Sequence, residues 1–137
     1  MKAVVLAGGK GKRLAPYTRI IPKPLMPIGD KPILEILLRQ MKRVGIHEVT
    51  LTVGYLADLM RLFFQDGSRL GMKIDYVQEK IPLGTSGPLA NVEGLDDTFL
   101  VTNGDVLTTL DFADLIAFHK AQGAIVTIAS HKRKVDI

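Results

Sequence analysis

Three glycines in four positions, Gly8, Gly9 and Gly11, stand directly behind a short apolar run at residues 3–6. The run has the length and content of a buried first strand. Glycines placed there let the backbone turn sharply and bring amide N–H groups close to an anion. Lys10, Lys12, Arg13, Arg19 and Lys23 then gather five cationic side chains in one loop. A strand that ends in such a loop is built to hold phosphate.

Spacing excludes two common phosphate loops. A Walker A loop needs G-x-x-x-x-G-K-[ST], but Gly11-Lys12 is followed by Arg13, and Leu6 stands where the first glycine belongs. The dinucleotide pattern G-x-G-x-x-G is met at Gly9 and Gly11 and broken at Leu14. Pro16, Pro22, Pro24 and Pro27 also oppose a helix directly behind the loop. Phosphate must then be held by loop amides and side chains, with little help from a helix dipole.

Behind the loop, strand and helix patterns alternate. Asp30 is the expected N-cap of a helix begun by Lys31-Pro32, with Ile33, Ile36, Leu37, Met41 and Val44 as its apolar stripe. Glu35, Arg39, Lys42 and Arg43 are assigned to its polar face, and Gly45 ends it. A second strand is expected at 47–53 and a helix at 55–66, with Leu56, Leu59, Met60, Phe63 and Phe64 buried. A third strand follows at 73–78, then a loop from Glu79 to Gly87 and a short helix through Glu93. The fourth strand is expected at 98–102, ended by Asn103-Gly104-Asp105. Asp111 caps a last helix with Phe112, Leu115, Ile116 and His119 inward, Gly123 closes it, and residues 124–129 read as a fifth strand.

Such alternation predicts a mostly parallel sheet covered on both faces, a Rossmann-like three-layer α/β/α fold of strand order 3-2-1-4-5. Ligands of such folds bind at the carboxyl edge where the order reverses, here between strands 1 and 4. The glycine loop follows strand 1 and Asp105 follows strand 4, so both are expected in one crevice.

A chain of 137 residues, 47% of them hydrophobic, can bury one core, and residues 1–137 are read as a single nucleotide-binding domain. The formal charge of +4 is concentrated at the loop: the first 31 residues hold seven Lys or Arg against one acid, Asp30. A smaller basic patch lies at residues 131–134, and aromatics are not interleaved with the cations, which argues against nucleic acid. With no cysteine, there is neither a disulfide framework nor a thiolate metal site. His47, His119 and His131 share no spacing that suggests a triad or a zinc site. No apolar run approaches a membrane span and nothing resembles a signal peptide, so a cytoplasmic chain without membrane contact is expected.

Gly8-Gly9-Lys10-Gly11-Lys12-Arg13-Leu14-Ala15-Pro16-Tyr17-Thr18, Pro22-Lys23-Pro24-Leu25-Met26-Pro27 and Lys31-Pro32-Ile33-Leu34-Glu35 together resemble the signature of the sugar-1-phosphate nucleotidyltransferases, or NDP-sugar pyrophosphorylases. That pattern is roughly GGxGxRLxPxT…PKPLxPxxxKPxLE. Lys12 departs from it, standing where Thr or Ser is commonest and adding a cation. The resemblance implies the nucleotide-diphospho-sugar transferase type of fold. It also implies the reaction, in which a sugar 1-phosphate oxygen attacks the α-phosphorus of a nucleoside triphosphate and pyrophosphate leaves.

Roles carried over by the resemblance fall on particular residues. Arg13 would hold the β- and γ-phosphates, and Lys23 would lie between the α-phosphate and the sugar phosphate. Gly8, Gly9, Gly11 and Lys12 would take phosphate oxygens, and Asp105 would ligate Mg²⁺. Leu6 and Ala7 would lie against the base, with Gln78, Glu79 and Gly84 reading its edge. Asn103 is a candidate sugar or ribose contact, or a turn former. Gln78-Glu79 and Leu83-Gly84-Thr85-Ser86-Gly87 resemble a variant frequent among mannose-1-phosphate guanylyltransferase-like members, which favours GTP.

The resemblance covers the whole chain but only about the first half of a usual catalytic domain. Members continue past the fifth strand into a half that supplies a second Asp and most sugar contacts, so Val135-Asp136-Ile137 reads as a break within a fold. A homo-oligomer is expected. Alternatives are a nucleotide-binding regulatory or partner module without turnover, transfer to another phosphorylated alcohol such as phosphocholine, and a basic nucleic-acid-binding domain.

Overall fold

The computed structural model describes residues 1–81 and 83–134. They divide into two units, Met1–Leu107 and Thr108–Ile137. The first unit contains, in chain order, β1 (Lys2–Ala7), β2 (Pro27–Ile28), β3 (Lys31–Pro32), α1 (Ile33–Arg43), β4 (Glu48–Val53), α2 (Ala57–Phe64), β5 (Lys73–Gln78) and β6 (Phe99–Asn103).

Four strands form one sheet in the order β5-β4-β1-β6, every pair parallel. Parallel neighbours require crossover connections, and α1 and α2 lie in the two that link β1 to β4 and β4 to β5. In β1 and β4, consecutive residues are buried: Ala3, Val4 and Val5, then Val49 through Val53. Neighbouring side chains of a strand point to opposite faces, so both faces of the sheet centre are covered. The chain winds outward from β1 through β4 to β5 and then returns to place β6 on the far side of β1. This is the expected order 3-2-1-4, with its reversal between β1 and β6.

Helix α1 buries Leu34, Leu37, Leu38 and Met41: Leu37 and Met41 as expected, with Leu34 and Leu38 in place of Ile33, Ile36 and Val44, which are half-buried. It starts later than expected. Lys31 precedes a proline and is held out of the helical region. Lys31–Pro32 instead pairs antiparallel with Pro27–Ile28 across a turn in which Gly29 has φ 64°. Asp30 is not the N-cap; its carboxylate accepts from Lys31 Nζ at 2.8 and 2.9 Å, and Pro32 precedes the helix. Glu35 is likewise not on a polar face. It is 4% exposed, accepting from Arg39 Nε and Nη2 at 3.0 and 2.7 Å with Arg69 Nη2 at 3.6 Å.

The second helix is shorter than residues 55–66, because Leu56 and Gln65 at its ends have φ of 57° and 49°. Ala57, Met60 and Phe64 are its buried stripe, while Leu59 and Phe63 are exposed. Behind β5, the expected short helix is a single 3₁₀ segment, Gly87–Asn91, with Pro88 in its first turn. Pro82 lies outside the described residues.

In the second unit, α3 (Phe112–Gln122) is capped by Asp111, whose Oδ1 accepts from the backbone N–H of Ala113 at 2.7 Å and Asp114 at 3.4 Å. Gly123 closes it at φ 58°. Phe112 is buried, and His119 turns its Nδ1 to Thr127 Oγ1 at 2.8 Å. The fifth strand is absent: residues 124–129 have no ladder partner among the described residues, and Ile125 is 99% exposed. A β-branched run forms a strand only against a neighbour, whatever its propensity. Residues 135–137, where a break in the fold is expected, lie outside the described residues.

Candidate active site

The carboxyl ends of the parallel strands open into a cleft of about 1470 Å³. Its walls include Leu6, Ala7, Gly8, Gly9, Gly11, Lys12 and Arg13 behind β1, and Lys23 from the same long loop. Gln78, Glu79 and Gly84 line it behind β5, and Asn103 and Asp105 behind β6. The residues assigned to nucleotide, sugar or metal contacts therefore line one cavity, whereas Arg19, counted among the cations of the loop, is not part of its lining.

The basic loop has internal fastenings. Gly11 takes the left-handed conformation at φ 58°, and a Cβ there would meet Thr18 Cγ2 at 2.8 Å. Thr18 is 3% exposed, and its hydroxyl donates to the Gly11 carbonyl at 2.9 Å. Three one-turn 3₁₀ segments, Lys12–Leu14, Tyr17–Arg19 and Lys23–Leu25, carry Lys12, Arg13, Arg19 and Lys23. No α-helix follows the glycines, so cationic charge comes from side chains.

Lys23 meets Asp105 through a contact one residue away. Pro24 is buried, and a Cβ on Gly104 would lie 3.5 Å from Pro24 Cγ, 3.2 Å from Val5 Cγ1 and 3.3 Å from Ala7 Cβ. The Gly104 N–H donates to the Leu6 carbonyl at 2.9 Å, which carries the β1–β6 pairing one step beyond the strand. With Pro24 against Gly104, the Lys23 ammonium forms an ion pair with Asp105 Oδ2 at the cleft wall. Their side chains keep 38% and 28% of their exposure.

Across the cleft, the Glu79 N–H donates to the Val53 carbonyl at 2.8 Å. Its Oε1 lies against Gly8, and its Oε2 accepts from the Leu83 N–H at 3.4 Å. Gly8 in turn lies against Gly54, where a Cβ would come within 3.1 Å of the Gly8 carbonyl oxygen. Three strand ends thus meet at backbone contact distance.

Sequence reasoning passed over Tyr55, which lines the cleft and donates from its hydroxyl to the Arg19 carbonyl at 3.1 Å. Its position just past the second strand was the available signal, since that strand ends on the same edge. Lys10, Lys80, Ile81, Thr85 and Pro88 also line the cavity.

Among the described residues no three His, Cys, Asp or Glu side chains are grouped to hold a metal. Asp105 is a single hard carboxylate facing cationic charge at the cleft wall. That donor suits a Mg²⁺ held by one carboxylate and completed by phosphate oxygens and water. Among the described residues no helix is long and apolar enough to cross a membrane.

The chain is similar to known proteins. Mannose-1-phosphate guanylyltransferase of Mycobacterium tuberculosis is 47% identical over 128 residues, covering 92% of this chain and 36% of that protein. UTP–glucose-1-phosphate uridylyltransferase of Synechocystis is 38% identical over 141 residues, covering 93% of this chain and 36% of that protein. The chain thus spans little more than a third of these curated relatives. The solved structure of HddC from Yersinia pseudotuberculosis, complexed with GMP-PN, superimposes with a TM-score of 0.74 at 33% identity, over 86% of this chain and 53% of that one. The family model described as Nucleotidyl transferase matches residues 2–136, and the chain belongs to that family.

Proposed function

We propose that residues 1–137 form the nucleotide-binding half of a sugar-1-phosphate nucleotidyltransferase, which transfers a nucleoside monophosphate from a triphosphate to a sugar 1-phosphate. The observation that carries this reading is the meeting of Arg13, Lys23, Asp105 and Glu79 around one cleft at the reversal of strand order. In-line attack of the sugar phosphate oxygen on the α-phosphorus joins two anions, so it depends on charge neutralisation and alignment more than on an acid–base pair. Arg13 holds the β- and γ-phosphates that leave as pyrophosphate. Lys23 bridges the α-phosphate and the incoming phosphate and stabilises charge as it spreads. A Mg²⁺ held at Asp105 would neutralise phosphate charge when bound.

GTP is the preferred donor in this reading. An ionised Glu79 carboxylate can only accept hydrogen bonds, and guanine offers two adjacent donors, N1–H and the N2 amino group. Uracil and thymine offer one imide N–H flanked by carbonyl oxygens, which a carboxylate repels. Calorimetric titration with GTP, dTTP, UTP, CTP and ATP, each with and without Mg²⁺, tests both parts. Micromolar, Mg²⁺-dependent, GTP-selective binding is expected; binding of none of the five rejects the reading.

A second reading is a nucleotide-binding module without turnover of its own. GTP binding without pyrophosphate release when mannose 1-phosphate is added would support it. The cytoplasm is the proposed compartment, and a homo-oligomer the proposed assembly.

A further inference from the structure

We infer that Lys23 keeps divalent metal off Asp105 until a nucleotide arrives, so that metal binding at this carboxylate is conditional on nucleotide binding. The inference rests on the nucleotidyltransferase reading of the cleft and concerns the order in which the site fills.

Three observations carry it. The Asp105 carboxylate is already matched to a cation, because Lys23 Nζ contacts Oδ2 directly. That meeting is built in: Pro22 and Pro24 flank Lys23, and Pro24 lies against Gly104, the residue before Asp105. Among the described residues, moreover, Asp105 belongs to no group of three or more His, Cys, Asp or Glu side chains that could hold the metal without phosphate oxygens. A divalent ion approaching the nucleotide-free chain would therefore meet one carboxylate with an ammonium already on it. It must displace that ammonium or endure its repulsion at a few ångströms.

A triphosphate reverses the balance. Its oxygens give the ammonium new acceptors inside the cleft, and they also complete the coordination that one carboxylate cannot supply. Lys23 then leaves Asp105 for phosphate, and the carboxylate is released as the ligand oxygens arrive. The pair is partly solvated, so the barrier it poses is moderate: an order-of-binding device.

The test uses the full chain without nucleotide and follows free Mn²⁺ by electron paramagnetic resonance. Lys23→Gln is expected to tighten Mn²⁺ binding on the order of tenfold, as removal of one nearby positive charge from a partly screened site would. Lys23→Arg keeps the cation and should leave binding as weak as in the parent. The tightening should vanish in Asp105→Asn/Lys23→Gln. Lys10→Gln removes the same charge from the same loop and should have a much smaller effect. Equal tightening by Lys10→Gln and Lys23→Gln, or none by Lys23→Gln, overturns the inference. The nucleotidyltransferase reading is judged separately by triphosphate titration, so the two can fail independently.

Discussion

The Glu79 carboxylate fills the space that a side chain at Gly8 would need. In the proposed reading, the glycine behind β1 would thus serve the base side of the cleft as well as the phosphate side. Gly8→Ala should leave the fold intact, because the obstructing atoms end a flexible side chain, but it should move that carboxylate. GTP affinity is expected to fall roughly tenfold, the worth of about one charge-assisted hydrogen bond, and preference over UTP should narrow. Calorimetry with both nucleotides reads the two effects; retained preference would remove Glu79 from base recognition.

Arg13 is exposed on a 3₁₀ turn at the cleft, free of any structural duty in the core. Arg13→Ala should weaken GTP binding by roughly 10- to 100-fold while GMP binding changes little, as loss of charge-assisted bonds to the outer phosphates requires. Equal losses for mono- and triphosphate would argue against a β/γ role.

Gly104 is hemmed by Val5, Ala7 and Pro24. A methyl group there would press on Val5 Cγ1 and Ala7 Cβ, which must give by a few tenths of an ångström, and would meet Pro24 Cγ at ordinary contact distance. Gly104→Ala is expected to cost about 1–2 kcal/mol of stability, in the range of mild overpacking. Denaturant titration gives this quantity, and an unchanged midpoint would show that the strand ends take up the methyl group without cost.

Tyr76 gives the sheet a response to alkali. Its hydroxyl donates to the Gln65 carbonyl at 2.6 Å, and burial pushes its pKa up to about 12 although Arg61 pulls the other way. The folded state therefore holds this proton more tightly than the unfolded chain, whose tyrosines titrate near pH ~10. Its contribution is fully present below that pH and is lost as pH rises toward 12. Tyr76→Phe should flatten the fall in stability across this interval; parallel curves for mutant and parent would show that Tyr76 ionises freely in the fold.

Strand β1 was legible because a strand buried on both faces reads as an apolar run, and β5 because it alternates, with Ile74 buried between exposed Lys73 and Asp75. The cleft was legible because its residues follow strand ends, and strand order alone brings those ends together. What escaped depended on contacts distant in sequence. Glu35 looked like a surface charge because nothing local reveals Arg69, which follows β4 and α2 in the chain. Tyr55 looked like the opening of a helix, and its bond to Arg19 spans 36 residues. The N-cap was misassigned for a local reason: Asp30 matched the capping pattern, but the proline after Lys31 keeps the chain extended for one more residue. The last apolar run read as a strand because propensity can be counted along a sequence and a ladder partner cannot.

That last run has a practical consequence. Ile125, Val126 and Ile128 are presented to water on backbone that has no ladder partner among the described residues, and apolar β-branched runs of this kind can seed self-association. The four residues after Ser130, His131-Lys132-Arg133-Lys134, are rich in positive charge and act as gatekeepers, because stacked copies would bring those charges together. Colloidal behaviour should therefore depend on the charge of that basic run. Replacing Lys132, Arg133 and Lys134 with neutral residues should bring on light scattering at concentrations where the parent stays clear.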